Sequence, residues 1–538
     1  MTTSAAVQPR LSRTHARQIL LTPPTLSGVE AVGVRSLAER SGTTGGPDAP
    51  CAALYSHDRR LGKCRLRQRH AADDDADDRA PFAGGTPAGA VSDRYGLGPL
   101  RDAVRARGSQ PTLGSSDRAA GGAPPAAQAA SAEPLFLLAG GPGAAATTDL
   151  AALVTALARV RQRRDIVLVD QRGTGDSNRL VVPEAPKWAE LPSDEADARY
   201  QSWLREAIRQ LPGDVRFYTT AVAADDLDAV REALGYETID VYGGSYGATA
   251  AQYYLRQYPS RVHAAVLDGA TLVEIPLFER TAANAQRALD LLFARCLADA
   301  RCASAYPDVR DEFETVLARL RRAPVETAIV DPRTGRNVVV EVDDFAAAAH
   351  RFLMDADDAA QMPYYVHLAF LERWDVVVPA ALASESQAFD NSRLAMALVI
   401  GCSEGWARYD PEETARQGEG SFEVELQVAG ARGRAVTCEA VPRGVVPAND
   451  AAPVQSSVPT LLLVGEADPQ DPPSHVAEAS RHMPDSLAVV VPGHAHGVAH
   501  RGCLPEVIAA FLDAGTTRGL DASCAANGGV PLAPFLVK

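Results

Sequence analysis

A glycine-flanked serine is the clearest chemical signal in the sequence. Residues 243–247 read Gly-Gly-Ser-Tyr-Gly and match G-x-S-x-G, in which a sharp strand-to-helix turn lifts the serine above a sheet. The motif alone is weak, because glycine and serine are common in turns. Here a β-rich run precedes it and a helical run follows it. This context favours Ser245 as a nucleophile over a plain turn.

A serine hydroxyl attacks a carbonyl only when a base takes its proton and an acid orients that base. After a G-x-S-x-G serine, the acid and then the histidine follow along the chain. An apolar run at 460–464 leads into Gly-Glu-Ala-Asp, and a second at 488–491 leads into Pro-Gly-His-Ala-His. Both loops therefore occupy the positions expected of the acid and the base.

The acid is chosen from three carboxylates. Asp468 lies close to the end of its strand and is the predicted acid. Asp471 and Glu466 are interpreted as loop carboxylates that cap the loop or face water.

The base is chosen from His494, His496 and His500, and we select His496. A His-x-His pair can also bind a metal ion, but no Cys, Asp or Glu set at ligand spacing accompanies this one. The sequence therefore predicts no metal, and the chemistry needs no cofactor.

Acyl transfer places negative charge on the substrate oxygen, which needs preorganised N–H donors. The residue after the nucleophile, Tyr246, supplies one donor in this arrangement, and the glycine turn after the first strand supplies the other. We select Gly141 from that turn, because a residue without a side chain lets the backbone approach the substrate closely. An ordinary tight turn would have the same structure.

Apolar runs alternate with helical patterns across the second part of the chain. This alternation predicts an α/β fold with a mostly parallel sheet covered by helices on both faces. Leu227, Val230 and Leu234 follow Asp225 and Asp226 at helical spacing, which predicts a helix that begins near the two aspartates. The predicted strands lie at 134–139, 166–170, 239–242, 264–268, 460–464 and 488–491.

The chain divides into four predicted segments. Residues 1–130 form a leader, residues 131–270 and 458–538 form the two parts of the α/β core, and residues 271–457 form an insertion. Helical runs at 281–298 and 311–321 indicate that the insertion is largely helical.

The leader is poor in large apolar residues and rich in Arg, Ala, Gly and Pro, so it cannot offset the entropy of ordering. We interpret it as a disordered leader or linker. The alternative is translation from a wrong frame or start of a GC-rich gene. Its beginning lacks a charged region followed by an apolar signal-peptide core.

The composition excludes some classes of function. The net charge of −15 argues against a nucleic-acid binder, which would present a basic face. No run of about 18 apolar residues occurs, which excludes a membrane-spanning helix.

The 538-residue chain contains eight cysteines, and sequence alone cannot fix their connectivity. The last six fall into close pairs, as local disulfides would, which indicates an oxidising compartment. The eight are Cys51, Cys64, Cys296, Cys302, Cys402, Cys438, Cys503 and Cys524.

Five motifs together resemble the proline iminopeptidase and tripeptidyl aminopeptidase group of α/β-hydrolases. They are AGGPG (139–143), DQRGTGDS (170–177), GGSYG (243–247), GEADPQDPP (465–473) and PGHAHG (492–497). The resemblance covers residues 131–538. It departs at Ala139, where proline iminopeptidases usually have His, and no strands are found before the GGPG strand.

The resemblance implies a Ser245, Asp468 and His496 triad with Gly141 and Tyr246 as oxyanion donors. It also implies structural roles for Asp170 and Arg172, a cap formed by the insertion, and three cysteine pairs like those of exported tripeptidyl aminopeptidases.

An exopeptidase must hold a free α-ammonium, so acidic residues are expected near the nucleophile. Glu404 and Glu274 are the candidates. The predicted function is thus a serine aminopeptidase of tripeptidyl or prolyl type, acting on peptides and exported from the cytoplasm. Two alternatives stay open: a carboxylic-ester hydrolase with the same triad, and a catalytically silent binding protein.

Overall fold

The computed structural model describes residues 133–184, 193–276, 278–332, 335–385 and 391–538, together with two short strand segments within the leader. The rest of the leader, including Cys51 and Cys64, lies outside the described residues. The strands are β1 (Val29–Glu30), β2 (Val104–Ala106), β3 (Leu135–Leu138), β4 (Ile166–Leu168), β5 (Ile239–Gly244), β6 (Val262–Asp268), β7 (Val325–Val330), β8 (Asn337–Val340), β9 (Thr460–Gly465) and β10 (Ser486–Val491).

Eight of these strands form one sheet in the order β1-β2-β4-β3-β5-β6-β9-β10. The six strands from β4 to β10 in this order are parallel, whereas β1 and β2 are antiparallel at one edge. The predicted α/β fold with a mostly parallel sheet is therefore confirmed. The two edge strands lie in the leader, where the sequence pattern shows no strand.

The strand order reverses between β3 and β5, which lie side by side although β4 separates them in sequence. In open parallel sheets, such a reversal opens a crevice at the carboxyl ends of the strands where ligands bind. The turns that follow β3 and β5 therefore meet at this crevice.

Apolar side chains cover both faces of the sheet. Leu135 and Leu137 of β3 pack into one core cluster and Phe136 packs into another, because successive residues of a strand point to opposite faces. The α-helices outside the insertion are Ala146–Asp149, Ala151–Ala156, Ala158–Arg161, Ser193–Arg209, Thr220–Ala233, Tyr246–Gln257, Pro473–Ser480 and Leu504–Ala514.

One helix begins earlier than predicted. It spans Thr220–Ala233, so Asp225 and Asp226 lie in its interior rather than at its start. The prediction was wrong because these carboxylates have tertiary partners: Asp226 pairs with Arg172, and Asp225 accepts a hydrogen bond from Tyr258.

Residues 271–457, here called the insertion, lie between β6 and β9 and build an apolar core of their own around Phe293 and Phe313. The strands β7 and β8 form a small antiparallel pair within it. Its α-helices are Thr281–Ala298, Ala300–Ala305, Val309–Arg322, Val342–Leu353, Ala356–Ala359, Met362–Phe370, Trp374–Glu385, Asn391–Ser403, Pro411–Gln417 and Val424–Cys438. Short 3₁₀ turns occur in the chain at Val215–Phe217, Pro259–Arg261, Trp406–Arg408 and Ser523–Ala525.

Three disulfides join the cysteines that are close in sequence: Cys296 with Cys302, Cys402 with Cys438, and Cys503 with Cys524. Two of them lie in the insertion and the third follows the last strand. Among the described residues, no helix combines the length and apolar character needed to cross a bilayer.

Candidate active site

Ser245 lies in a strained turn between β5 and the helix Tyr246–Gln257. Its φ of 55° and ψ of −124° are unusual for a residue with a side chain. The Ser245 amide donates a hydrogen bond of 2.9 Å to the Asp268 carbonyl at the end of β6. Gly140 packs against the turn so closely that a Cβ there would lie 2.9 Å from Ser245 Cβ. The backbone therefore holds the hydroxyl at the sheet edge, as the G-x-S-x-G pattern predicts.

Asp468 and His496 are hydrogen-bonded to each other. The distance from His496 Nδ1 to Asp468 Oδ2 is 2.8 Å, and the side chain of Asp468 is 0% exposed. The other carboxylate oxygen accepts the amides of Gln470 and Asp471 at 2.9 and 2.8 Å. This arrangement leaves Nε2 as the ring nitrogen that is free to act on a substrate or a nucleophile.

The competing residues have other partners. His494 Nε2 lies 3.3 Å from the Val530 carbonyl, and Glu466 accepts the Gly493 amide at 2.8 Å as a loop cap. Burial lowers the pKa of His500. Of the three histidines weighed from the sequence, His496 is the one that the structure joins to a carboxylate of the Asp468 loop.

Asp268 and Gly269 join the serine turn to the histidine loop. The Asp268 carboxylate accepts the amides of Val498 and Ala499 at 2.9–3.0 Å and the Tyr242 hydroxyl at 3.1 Å. A Cβ on Gly269 would lie 3.1 Å from the His496 ring. His496 Nε2 is buried and has no hydrogen-bond partner among the described residues. The serine–histidine hydrogen bond is thus not formed in this structure, and resting enzymes often tighten such bonds only with substrate.

The insertion also contacts the histidine loop. The His496 amide donates to the Met354 carbonyl at 3.1 Å. Arg501 forms ion pairs of 2.5 and 2.6 Å with Asp355 and Asp357.

The electrostatics around His496 favour its charged form. Burial by itself lowers the pKa of His496, but the carboxylates of Asp468, Asp471 and Asp268 outweigh burial and raise it to about 9. The imidazolium that forms when the ring accepts a proton is thereby stabilised.

Gly141 and Tyr246 follow the adjacent strands β3 and β5. Gly141 has a φ of +77°, and a Cβ at this position would contact nothing within 4 Å, so its backbone borders open space. The Tyr246 hydroxyl is held at 2.7 Å from Thr220 Oγ1 and at 3.0 Å from Gln171 Nε2. The two predicted donor residues therefore belong to neighbouring turns of the crevice.

A pocket extends from these turns into the insertion. Glu404 lines it and is only 7% exposed. The two carboxylate oxygens accept the amide and hydroxyl of Thr220 at 2.7 and 2.9 Å. Burial raises the pKa of Glu404 to about 7, against the opposing effects of Thr220 and Arg408. The full lining is Pro142, Tyr246, Thr249, Tyr253, Thr271, Leu272, Val273, Ile275, Ile400, Gly401, Glu404, Gly405, Trp406 and Arg408.

The carboxylate of Glu404 has no Lys, Arg or His nitrogen within 4 Å in the described part of the chain. Arg408 instead donates to the carbonyls of Glu404, Glu274 and Val273. A buried carboxylate without an ion-pair partner is costly unless a cation can reach it.

Residues 133–500 match the family model described as alpha/beta hydrolase fold. The chain belongs to the alpha/beta hydrolase fold family. It is distantly related to the serine protease Hip1 of Mycobacterium tuberculosis, with 27% identity over 175 residues, which are 28% of this chain and 32% of that protein. It is also related to the tripeptidyl aminopeptidase of Streptomyces lividans, with 34% identity over 122 residues.

The second alignment covers 21% of this chain and 23% of the aminopeptidase, so the matched regions span a third or less of these relatives. Among solved structures, a proline iminopeptidase of Mycobacterium smegmatis resembles this alpha/beta hydrolase with a TM-score of 0.35 and 18% identity. That likeness covers 72% of this chain and 91% of the other.

Two acidic residues of this alpha/beta hydrolase differ from the sequence interpretation. Asp471, interpreted as a capping or water-facing carboxylate, is 2% exposed, lies 4.0 Å from His496 Nδ1, and contacts Thr271 and His475. Its spacing of four residues from His475, at the start of a helix, is the signal that could have indicated this pairing.

Glu274 does not line the pocket that contains Glu404. Its Oε2 is buried without a hydrogen-bond partner among the described residues. Burial raises the pKa of Glu274, and the nearby Glu478 raises it further. The structure therefore separates the two amine-binding candidates, and only Glu404 borders the crevice.

Asp170 and Arg172 have the structural surroundings that the resemblance implies. Asp170 accepts hydrogen bonds from Thr147 and from the Asp176 amide. Arg172 donates to Asp226 at 2.5–2.6 Å and to the Phe217 carbonyl at 2.9 Å. Both side chains fix the loop after β4.

Proposed function

We propose that the protein is a serine aminopeptidase that cleaves peptides near their free N-terminus. The observation that carries the proposal is Glu404, a buried carboxylate in the pocket beside Tyr246 that forms no ion pair within 4 Å in the described part of the chain. A substrate α-ammonium is a cation of the right size and charge for this position. The distant relationship to a protease and to a tripeptidyl aminopeptidase supports the same class of substrate.

In the proposed first step, Ser245 Oγ attacks the scissile carbonyl while His496 Nε2 accepts the hydroxyl proton. Asp468 holds the ring through Nδ1 and stabilises the imidazolium. The amides of Gly141 and Tyr246 donate to the oxyanion.

The leaving amine then takes the proton from His496 and departs. The N-terminal fragment stays bound to Ser245 as an ester. Water attacks this ester, His496 accepts a proton from that water, and the proton returns to Ser245 as the acid product leaves.

The ammonium proposal has a consequence for protonation. Glu404 binds a cation only when it is ionised, and the pKa of about 7 means that the empty pocket holds it about half protonated at neutral pH. A bound ammonium would favour the ionised form. Substrate binding should therefore lower the pKa of Glu404 and release a proton near pH 7.

We further propose that the insertion acts as a cap that excludes water and selects the substrate. It supplies Glu404 and Trp406 to the pocket wall, while the turns and loops that follow the strands of the sheet supply the triad. The three disulfides support an oxidising location and hence an exported protein.

The test compares tripeptide anilides with a free and an N-acetylated terminus, each with wild type, Ser245→Ala, Glu404→Gln and Glu274→Gln. The free-amine substrate should be cleaved by wild type and not by Ser245→Ala. Glu404→Gln should raise KM for it about tenfold or more, because the ammonium loses a charge-assisted hydrogen bond. Glu274→Gln should leave KM unchanged.

Equal cleavage of free and acetylated substrates would contradict the aminopeptidase proposal. If short acyl esters are hydrolysed and neither anilide is, the protein is an ester hydrolase. A folded protein whose Ser245 does not react with a fluorophosphonate would be a silent binding protein instead.

A further inference from the structure

A second cavity, of about 270 Å³, lies between the insertion and the loops that carry Asp468 and His496. Ser245, Gly141 and Tyr246 do not line it, so it is separate from the pocket proposed to bind substrate. Its lining is mainly aliphatic, with Leu291, Leu292, Leu353 and Leu532 among the contributors.

One cation reaches this apolar space. Arg295, on the helix Thr281–Ala298, lines the cavity, and its Nε and Nη2 are buried with no hydrogen-bond partner among the described residues. Its Nη1 donates to the Gly493 carbonyl at 3.3 Å, and its Cζ lies 4.7 Å from the ring centre of Phe535. Burial lowers the pKa of Arg295.

The carboxylate in the cavity wall, that of Glu466, already has a hydrogen-bond partner. Glu466 also lines the cavity, but its Oε2 accepts the Gly493 amide at 2.8 Å. Among the described residues, no carboxylate oxygen lies within 4 Å of the Arg295 guanidinium. A guanidinium presents five donors in a planar fork suited to a carboxylate. The two buried nitrogens of Arg295 that have no partner are therefore available to donate to the carboxylate of a ligand.

The rest of the wall determines what else the ligand contains. Ala288, Leu292, Leu353 and Ala359 offer no polar side-chain atoms. A peptide chain would leave its amide groups without partners there, which is costly, whereas an alkyl chain would not.

We propose that this cavity binds an aliphatic carboxylate, with the alkyl chain against the leucines and the carboxylate on Arg295. Such a ligand would contact Ala467 and Ala495, the neighbours of Asp468 and His496. The site is independent of the proposed peptidase activity.

The experiment is isothermal titration of the full chain with decanoate, with decan-1-ol as the uncharged ligand. Decanoate should bind at one saturable site, at least tenfold more tightly than decanol, because the charge-assisted pair is made only with the carboxylate. Arg295→Gln should weaken decanoate binding at least tenfold, and Arg295→Lys should weaken it less.

Leu532→Trp, a change at a half-exposed wall residue, should block the cavity and abolish decanoate binding. Arg310→Gln is the matched control, since Arg310 is exposed and paired with Asp290 away from the cavity, and it should bind as wild type does. Equal binding of decanoate and decanol, or wild-type binding by Leu532→Trp, would overturn the proposal. These two comparisons decide the outcome even if Arg295→Gln does not fold.

Discussion

Two carboxylates, Asp268 in the sheet and Glu404 in the insertion, are both buried but have different numbers of hydrogen-bond partners. Asp268 ends β6 and accepts two backbone amides and a tyrosine hydroxyl. Glu404 accepts hydrogen bonds from Thr220 alone among the described residues and faces an open pocket. Burial raises the pKa of both.

The difference separates positioning from recognition. A carboxylate whose lone pairs are already occupied can hold the serine turn and the histidine loop in register. In the proposed function, a carboxylate with unused capacity, Glu404, binds a cation that arrives from outside. Arg295 in the second cavity is likewise buried with unused hydrogen-bonding groups among the described residues, but it carries a positive charge.

The largest effect expected on the sheet side is that of Asp468→Asn. This change keeps the side-chain shape but removes the charge that stabilises the imidazolium, so kcat should fall about 10⁴-fold. Steady-state hydrolysis of the free-amine anilide measures this, with circular dichroism as a check of folding. Asp471→Asn is the comparison variant and should cost far less, because Asp471 lies 4.0 Å from His496 rather than in contact. Equal losses would show that the two aspartates share the role.

Removal of the disulfides tests whether the insertion needs covalent support around Glu404. Cys402, two residues before Glu404, pairs with Cys438 across a sequence separation of 36, whereas Cys296 and Cys302 are separated by 6. Loop-closure entropy predicts a loss of about 4 kcal/mol for Cys402→Ala with Cys438→Ala, and about 2 kcal/mol for the shorter pair. Denaturant unfolding of the two double variants measures both. The reverse order would contradict the entropic account.

Asp268→Asn should destabilise the fold by about 3 kcal/mol, since an amide cannot accept all the donors that converge on a buried carboxylate. Urea unfolding at neutral pH gives this value. If Asp268→Asn is as stable as wild type, the fold does not depend on the hydrogen bonds that the Asp268 carboxylate accepts.

Glu404→Gln should stabilise the fold, whereas Asp268→Asn should destabilise it. The pKa of Glu404 is raised from 4.5 to about 7 on folding, so ionisation costs the folded state stability as the pH rises from 4.5 to 7. The variant should therefore be more stable than wild type by up to about 2 kcal/mol above pH 7, after allowance for lost hydrogen bonding, and the difference should vanish below pH 4.5. Thermal unfolding at pH 4 and pH 8 measures it. A loss of stability at pH 8 would show that Glu404 is as fully paired as Asp268.

The smallest effect concerns the pH dependence of catalysis. His496 must be neutral to accept a proton, and its raised pKa keeps it charged below about pH 9. The rate of Ser245 labelling by a fluorophosphonate, which needs no substrate ammonium, should therefore rise with pH up to an apparent pKa of about 9. Asp471→Asn should move that limb to lower pH, because one of the carboxylates that raise the pKa is removed. An unchanged limb in Asp471→Asn would mean that Asp471 does not act on the histidine.

Much of the sheet side was predictable from local patterns. The predicted strand at 460–464 appears as Thr460–Gly465, and the predicted strand at 239–242 appears as Ile239–Gly244. Continuous apolar runs leave few alternatives for a buried parallel strand. The carboxyl ends of such strands meet at one edge, so the Asp468 and His496 loops could be paired before their contact was seen.

The interior of the insertion was not predictable in the same way. Nothing local distinguishes Glu404 from Glu274, and their different surroundings depend on how helices far apart in sequence pack. The same holds for Arg295, whose helix has an ordinary amphipathic pattern. Asp471 was misread because its partner Thr271 comes from a distant part of the chain, although His475 lies only four residues away.

One side of the insertion is fastened to the loop that carries His496. The His496 amide donates to the Met354 carbonyl, and Arg501 forms ion pairs with Asp355 and Asp357. A rigid-body rotation of the whole insertion would break these contacts or displace the His496 imidazole. If the proposed function holds, a peptide would therefore enter and leave by movement at the margin remote from Met354, which would leave His496 in place through each turnover.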